Sequence, residues 1–72
     1  MDMKQIEANM AGIVVQVLVQ VGDQVSTGQD VVMLESMKME VPISSGVEGK
    51  VVEIKVNVGD FVNEGDIVVI LG

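Results

Sequence analysis

The chain contains two copies of one segment, and this internal repeat limits the folds that it can adopt. A shift of 37 residues aligns residues 12–34 with residues 49–71 without a gap, and 12 of the 23 aligned pairs are identical. Val-Gly-Asp, for example, occurs at 21–23 and again at 58–60. A repeat of this kind predicts two similar halves related by a pseudo-two-fold axis.

Valine-rich alternation indicates that both halves are built from strands. Valine supplies 17 of the 72 residues, and its branched side chain favours a pleated strand over a helix. Apolar residues recur at every second position in both copies, which is typical of a half-buried strand. We expect one face of each strand to meet the core: Ile13, Val15, Val17, Val19 and Val21 in the first copy, and Val52, Ile54, Val56 and Val58 in the second. Leu18 is expected on the outer face.

Turn residues occur at matching places in the two copies. Gly22-Asp23 and Gly59-Asp60 predict sharp reversals, because glycine tolerates positive φ and aspartate can bond to nearby backbone. Gly28 and Gly65 precede short apolar strands. The single proline, Pro42, predicts an edge strand, because it has no N–H to donate to a neighbouring strand. We therefore predict one domain, residues 1–72, with an all-β fold.

The repeat also predicts where the chain ends lie. Extended backwards, it places residues 4–8 opposite residues 41–45. The connection between Leu34 and Val41 then matches the gap between Leu71 and Lys4, which is the gap between the chain ends. This connection and the termini should lie at opposite poles of the molecule.

Composition excludes several classes of function. The chain has neither Cys nor His, so a thiol nucleophile, a Cys-ligated zinc ion and a histidine base are all ruled out. A net charge of −7 with no Arg argues against nucleic acid or an anionic membrane as the partner. The apolar stretch 13–21 is too short to span a bilayer, and residues 1–4 lack the pattern of a signal peptide. We expect a cytoplasmic protein.

The repeat junction carries the run Glu35-Ser36-Met37-Lys38-Met39-Glu40, which is nearly palindromic. A strand that folds back there would place Met37 and Lys38 at the tip and pair Glu35 with Glu40. A two-residue hairpin turn needs positive φ at both central residues and favours Asn-Gly, so Met-Lys is a poor choice. The two glutamates would repel each other, and the two methionines would be exposed.

Three unfavourable choices around one lysine point to function, because local rules are broken most often at functional sites. The competing interpretation is a solvated lysine in an ordinary turn, with methionines that fold back on the barrel as gap-fillers.

These motifs resemble the biotinyl/lipoyl attachment domains. The resemblance rests on the E-S-M-K-M-E run, on residues 8–12 and on the two V-G-D-x-V-x-x-G copies, and it spans about residues 4–71. It is closest to the biotinyl side, where Met flanks the acceptor lysine on both sides, and to small free-standing attachment proteins of the biotin carboxyl carrier type. Two residues depart from the common pattern: Ser36 replaces a usual Ala, and Asn9 a frequent Pro.

The resemblance implies a fold and a function. The fold would be a flattened barrel (a barrel-sandwich hybrid) of two four-stranded antiparallel sheets. Lys38 would carry biotin as an amide, added by a biotin protein ligase. The residues that the ligase reads would be Glu35, Ser36, Met37, Met39 and Glu40. The protein would be a monomeric, non-catalytic carrier that moves a carboxyl group between the biotin carboxylase and carboxyltransferase components of a biotin-dependent carboxylase.

Two alternatives stay open. The first is a lipoyl carrier, or an acceptor of both biotin and lipoate; lipoyl domains usually have Asp-Lys-Ala where this chain has Met37-Lys38-Met39. The second is an unmodified barrel that serves as an interaction module. An enzyme in its own right is the weakest hypothesis, because His and Cys are both absent.

Overall fold

The computed structural model describes residues 3–72, which form eight β-strands. In chain order these are β1 (Lys4–Glu7), β2 (Gly12–Val17), β3 (Gln24–Val25), β4 (Asp30–Ser36), β5 (Met39–Ser44), β6 (Gly49–Ile54), β7 (Phe61–Val62) and β8 (Ile67–Leu71). Within this part of the chain there is no helix long and apolar enough to cross a membrane.

The strands form two four-stranded antiparallel sheets. One has the order β1-β8-β6-β3 and the other the order β5-β4-β2-β7. Every observed strand pair is antiparallel. The molecule is elongated, with principal extents of 37 × 17 × 17 Å. The predicted all-β barrel of two four-stranded antiparallel sheets is confirmed.

The pseudo-two-fold axis is visible in both register and hydrogen bonding. A shift of 37 residues converts each sheet into the other, and the Leu34–Val41 pair of one becomes the Leu71–Lys4 pair of the other. Backbone hydrogen bonds that join the two halves also occur in matched pairs. The Gly59 N–H donates to the Val14 carbonyl (2.7 Å), and the Gly22 N–H donates to the Val51 carbonyl (2.8 Å). Each copy of the repeat therefore binds a turn of the other.

A continuous apolar core fills the space between the sheets. Leu34 and its symmetry mate Leu71 have no exposed surface, and the other members are mostly valines. The core consists of Ile6, Ala8, Val14, Val19, Val25, Val31, Val32, Leu34, Ile43, Val51, Val56, Val62, Val68, Val69 and Leu71. Full burial of a valine side chain stabilises a fold by roughly 1.5–3 kcal/mol. Because valine adds few rotamers, such a core is also well defined.

The alternating faces predicted for β2 and β6 are partly wrong. Val17, Val19, Ile54 and Val56 do face inwards, as expected. Four others of the predicted inner face are exposed: Ile13 (45%), Val21 (64%), Val52 (39%) and Val58 (65%). Val14 and Val51, which the same alternation would place on the outer face, are buried instead.

A β-bulge at the same point of each copy explains the error. Val14 pairs with Leu34 and Gln16 with Met33, so Val15 is an extra residue on its strand. Val52 is the extra residue at the matching place in β6. One inserted residue reverses the faces on its two sides. Val21 and Val58 are exposed for a different reason, because they lie in turns beyond the ends of their strands.

Four turns of one design connect the strands, at residues 20–23, 26–29, 57–60 and 63–66. In each, the fourth residue's N–H donates to the first residue's carbonyl at 3.0 Å, and its side-chain oxygen accepts the first residue's N–H at 2.8–3.0 Å. The third residue is a glycine with φ between 88° and 98°. The reversals predicted at Gly22-Asp23 and Gly59-Asp60 are confirmed.

Two further predictions concern edges and ends. Pro42 lies in β5, which is an edge strand as expected.

Lys4 pairs with Leu71 at one end of the β1–β8 ladder, and Glu7 pairs with Ile67 at the other. From there the chain crosses to Ile13, which pairs with Glu35 at the base of the β4–β5 hairpin. The strand pairing thus carries the hairpin and the Lys4–Leu71 end to opposite poles.

The bulge leads to a test of which valines form the core. Val14→Ala should lower the free energy of unfolding by about 2 kcal/mol, because it removes fully buried methyl groups and leaves a cavity. Val21→Ala should change it by less than about 0.5 kcal/mol, because that side chain is already in water. Urea unfolding of both variants measures the difference. Equal losses would contradict the observed positions of the two side chains.

Candidate functional site

The β4–β5 hairpin carries the sequence-predicted site, and its register is the predicted one. Ser36 pairs with Met39, Glu35 with Glu40 and Leu34 with Val41, which leaves Met37 and Lys38 as the two-residue turn. The near-palindrome therefore folds back on itself at its centre.

Both residues of this turn adopt a left-handed backbone conformation. Met37 has φ of 54° and Lys38 has φ of 65°, and they are the non-glycine residues with positive φ among those described. This conformation places Cβ close to the following carbonyl and costs roughly 1–2 kcal/mol per residue. The core must supply that free energy. The expected strain is thus present at the lysine itself.

The lysine side chain is fully available at the tip. Lys38 is exposed, and no hydrogen bond or salt bridge to another described residue engages its ammonium group. Met37 is 93% exposed and Met39 is 65% exposed, so neither methionine folds back onto the barrel. A primary amine between two exposed apolar side chains is presented outwards.

The remaining predicted recognition residues lie just below the tip. Glu35 and Glu40 face each other across the hairpin and are exposed, whereas Ser36 is half-buried. Two carboxylates on one face give this end of the barrel a negative surface next to the lysine. The hairpin brings together all six residues from Glu35 to Glu40, as predicted; their roles in recognition stay predictions.

The other lysines occupy different surroundings. Lys4 Nζ donates to the Glu48 carbonyl (3.0 Å), and Lys55 forms an exposed ion pair with Glu53 (3.3 Å). Lys50 lies within β6. Each belongs to or follows a strand, so none is presented at a hairpin tip.

Gly12 supports the base of the hairpin, a role that the sequence alone did not indicate. A Cβ atom built on Gly12 would lie 2.8 Å from the Glu35 carbonyl oxygen, closer than real Cβ contacts allow. The close approach lets β2 hold the end of β4 where the turn begins. The signal in the sequence was Gly12 as the first residue of the repeat, but its reason required the register.

The described residues contain no group of three acidic or other ligating side chains placed to hold a metal ion. An open cavity of about 470 Å³ lies beside Phe61, but no hairpin residue lines it. The arrangement can present an amine for acylation, and among the described residues no carboxylate lies within salt-bridge distance of that amine.

Comparison with known sequences gives one family and a set of relatives. The profile of the biotin/lipoyl family, described as "Biotin-requiring enzyme", matches residues 4–71. The chain is 43% identical over 44 residues to a "Biotinylated protein TB7.3 homolog" of Mycobacterium leprae and 53% identical over 38 residues to a "Biotin/lipoyl attachment protein" of Bacillus subtilis. These alignments cover 61% and 53% of this chain, and 62% and 52% of the relatives' own length.

Solved structures give the same picture for the fold. The urea carboxylase of Kluyveromyces lactis superposes with a TM-score of 0.91 at 31% identity, over 99% of this chain and 6% of the enzyme. A single-chain, multi-domain long-chain acyl-CoA carboxylase superposes with a TM-score of 0.86 at 29% identity, over 94% of this chain and 7% of the enzyme. In both cases a small part of a large carboxylase has the architecture of this barrel.

The backbone strain of the left-handed turn can be measured by comparing two substitutions of Lys38. Lys38→Gly should be about 1 kcal/mol more stable than Lys38→Ala, because glycine adopts positive φ without the Cβ contact. Both variants lose the amine, so the comparison isolates the backbone. Chemical unfolding provides the free energies, and a more stable alanine variant would contradict the left-handed turn.

The role of Gly12 predicts a second effect. Gly12→Ala should lower the free energy of unfolding by about 1–3 kcal/mol, because the methyl group would push against the backbone of β4. Gly46→Ala is the matched control, since nothing lies within 4 Å of a Cβ at that position. The control should stay within about 0.5 kcal/mol of the parent. A Gly12→Ala variant as stable as the control would show that β2 does not hold the hairpin base.

Proposed function

Because the chain belongs to the biotin/lipoyl attachment family, we propose that it is a carrier that bears biotin in amide linkage on Lys38. The observation that carries the proposal is the exposed Lys38 amine at the tip of a strained turn, where no other described residue forms a hydrogen bond or salt bridge with it. Attachment domains are non-catalytic carriers, and this chain is similar to small parts of two carboxylases.

The chemistry of the tip fits covalent attachment. A lysine amine can be acylated to a stable amide, and a hairpin tip keeps backbone and neighbouring strands away from the reacting nitrogen. The enzyme that attaches the cofactor must also accept the amine proton, since no carboxylate among the described residues lies within salt-bridge distance of the amine. Met37 and Met39 provide apolar contacts on either side of the lysine, and Glu35, Ser36 and Glu40 complete the segment that a biotin protein ligase would read.

The carrier role follows from tethering. Attached biotin supplies the group that carries carboxyl, while the barrel supplies a rigid support from which the arm reaches two active sites. A tether raises the effective concentration of its end at each site without a new binding surface. The partners in this proposal are a biotin protein ligase and the biotin carboxylase and carboxyltransferase components of a biotin-dependent carboxylase. The chain acts as a single domain of residues 1–72, as a monomer in the cytoplasm.

Biotin is favoured over lipoate by the residues around the lysine. Met flanks Lys38 on both sides, as in biotinyl domains, and the Mycobacterium leprae relative is named a biotinylated protein. The Bacillus subtilis relative is named an attachment protein for either cofactor. Lipoate, alone or in addition to biotin, is therefore the second candidate.

Co-expression with a biotin protein ligase and, separately, with a lipoate ligase tests the assignment. Intact mass should increase by one biotinyl group with the first enzyme, and peptide mapping should place it on Lys38. Lys38→Arg should gain no mass, because arginine keeps the charge but cannot be acylated in this way.

Other outcomes would contradict parts of the proposal. Modification of Lys50 or Lys55 would overturn the site assignment, and a lipoyl group in place of biotin would overturn the cofactor. No added mass with either ligase would favour an unmodified interaction module.

A further inference from the structure

A row of four exposed side chains crosses the outer face of one sheet, just below the hairpin. The register pairs Glu40 with Glu35, Glu35 with Ile13 and Ile13 with Phe61. Directly opposed residues of antiparallel strands present their side chains on the same face. All four are exposed, Ile13 at 45% and Phe61 at 63%. These residues are called the outer row below; half of it is acidic and half apolar.

The pseudo-two-fold axis provides an internal comparison for the outer row. The same backbone positions at the opposite pole hold Met3, Gly72, Lys50 and Gln24. Lys50 pairs with Gln24, and Lys50 and Gly72 exchange backbone hydrogen bonds (2.8 and 3.2 Å), so the backbone arrangement is repeated. The fold therefore accepts Lys and Gln at the positions that hold Ile13 and Phe61 near the tip. Stability of the barrel does not explain the apolar pair.

An exposed aromatic residue beside an aliphatic one is typical of a contact surface. Phe61 is the single aromatic residue of the chain. Clustered apolar surface of this kind in a soluble protein marks interaction sites, and aromatic residues are enriched among those that dominate binding. Phe61 also lines the open cavity of about 470 Å³, so a partner's side chain has room to pack against its ring.

We propose that the outer row is the surface on which biotin protein ligase docks while it acylates Lys38, with Ile13 and Phe61 as its apolar contact. This inference rests on the proposed function and extends recognition from the hairpin to β2 and β7. The ligase surface that fits has apolar side chains for Ile13 and Phe61 and a Lys or Arg for the two carboxylates.

Charge at the acidic half supports a cationic partner. Glu35 and Glu40 face each other, and the salt bridges among the described residues include neither of them. A guanidinium or ammonium group placed between the two carboxylates would relieve their repulsion and form charge-assisted hydrogen bonds. Such complementary charge also accelerates encounter.

Distance favours the ligase over a carboxylase as the occupant. Lys38 lies two positions before Glu40 on the same arm of the hairpin, which corresponds to roughly 7 Å at the rise of a β-strand, and Ile13 and Phe61 lie one and two strands beyond the hairpin across the sheet, at roughly 5 Å per strand. An enzyme that acts on the lysine amine itself must bring its active site within the length of one lysine side chain of the tip, so its surface reaches the outer row. A carboxylase acts on the end of the attached arm and can stay further away.

Biotinylation kinetics with purified biotin protein ligase test the proposal. Phe61→Gln and Ile13→Lys introduce the residues found at the symmetry-related positions, so the barrel should fold. Each should lower kcat/KM for biotinylation about tenfold through a higher KM for the carrier, with kcat retained, as expected when a contact residue is lost. Thermal unfolding of each variant verifies that the fold is intact.

Two controls at the opposite pole separate docking from general surface change. Val21→Gln removes an apolar side chain that is about as exposed (64%) as Phe61 (63%). Gln24→Phe adds an aromatic residue at the position that matches Phe61. Both should stay within twofold of the parent.

The outcomes distinguish this inference from the proposed function. If the parent is biotinylated and the outer-row variants react as fast as it does, or if the controls slow equally, the docking surface is wrong while the carrier function stands. If the parent accepts no biotin from the ligase, both are overturned.

Discussion

The exchange of backbone hydrogen bonds between the two halves is the interaction on which the rest of the structure depends. The turn that contains Gly59 binds the Val14 backbone, and the turn that contains Gly22 binds the Val51 backbone. Each half thus adds a short strand beside a strand of the other, β7 beside β2 and β3 beside β6. Neither half can bury its valines alone, because the inner faces meet in one core. The barrel closes only when both copies are in place, and closure fixes the base of the hairpin between them.

The candidate site lies at a place where the two halves cannot be equivalent. A single chain has one junction between its copies and one pair of ends, so the symmetry must break at these two places. The junction becomes the Met37-Lys38 turn, and its symmetry-related place holds the Lys4–Leu71 pair near the termini. The tip occupies one pole and the Lys4–Leu71 pair the other. The proposed arm on Lys38 would therefore move away from the Lys4–Leu71 end of the barrel.

The sequence predicted the architecture and the turn well, because each had a direct signal. The repeat required two like sheets, and the near-palindrome around Met37 and Lys38 set the pairing and the positive φ of both residues. The prediction of the inner faces of β2 and β6 was partly wrong, because a run of valines gives no sequence signal for a bulge at Val15 or Val52. The roles of Gly12 and of the outer row could not be predicted from the sequence for a related reason. Their meaning depends on which residues lie across the sheet, and register is a property of the pairing rather than of any one segment.

The strain at the tip has a physical advantage for a carrier. Binding costs free energy when a partner must order a flexible segment, and a segment already held in its bound shape avoids that cost. Here the unfavourable φ of Met37 and Lys38 is enforced by the paired strands, and the fully buried Leu34 anchors one of these strands three residues before the turn. The free energy is supplied once, when the barrel folds. In the proposed carrier role, every later encounter would then meet the same exposed amine between the same two methionines, and only the lysine side chain and its cofactor would need to move.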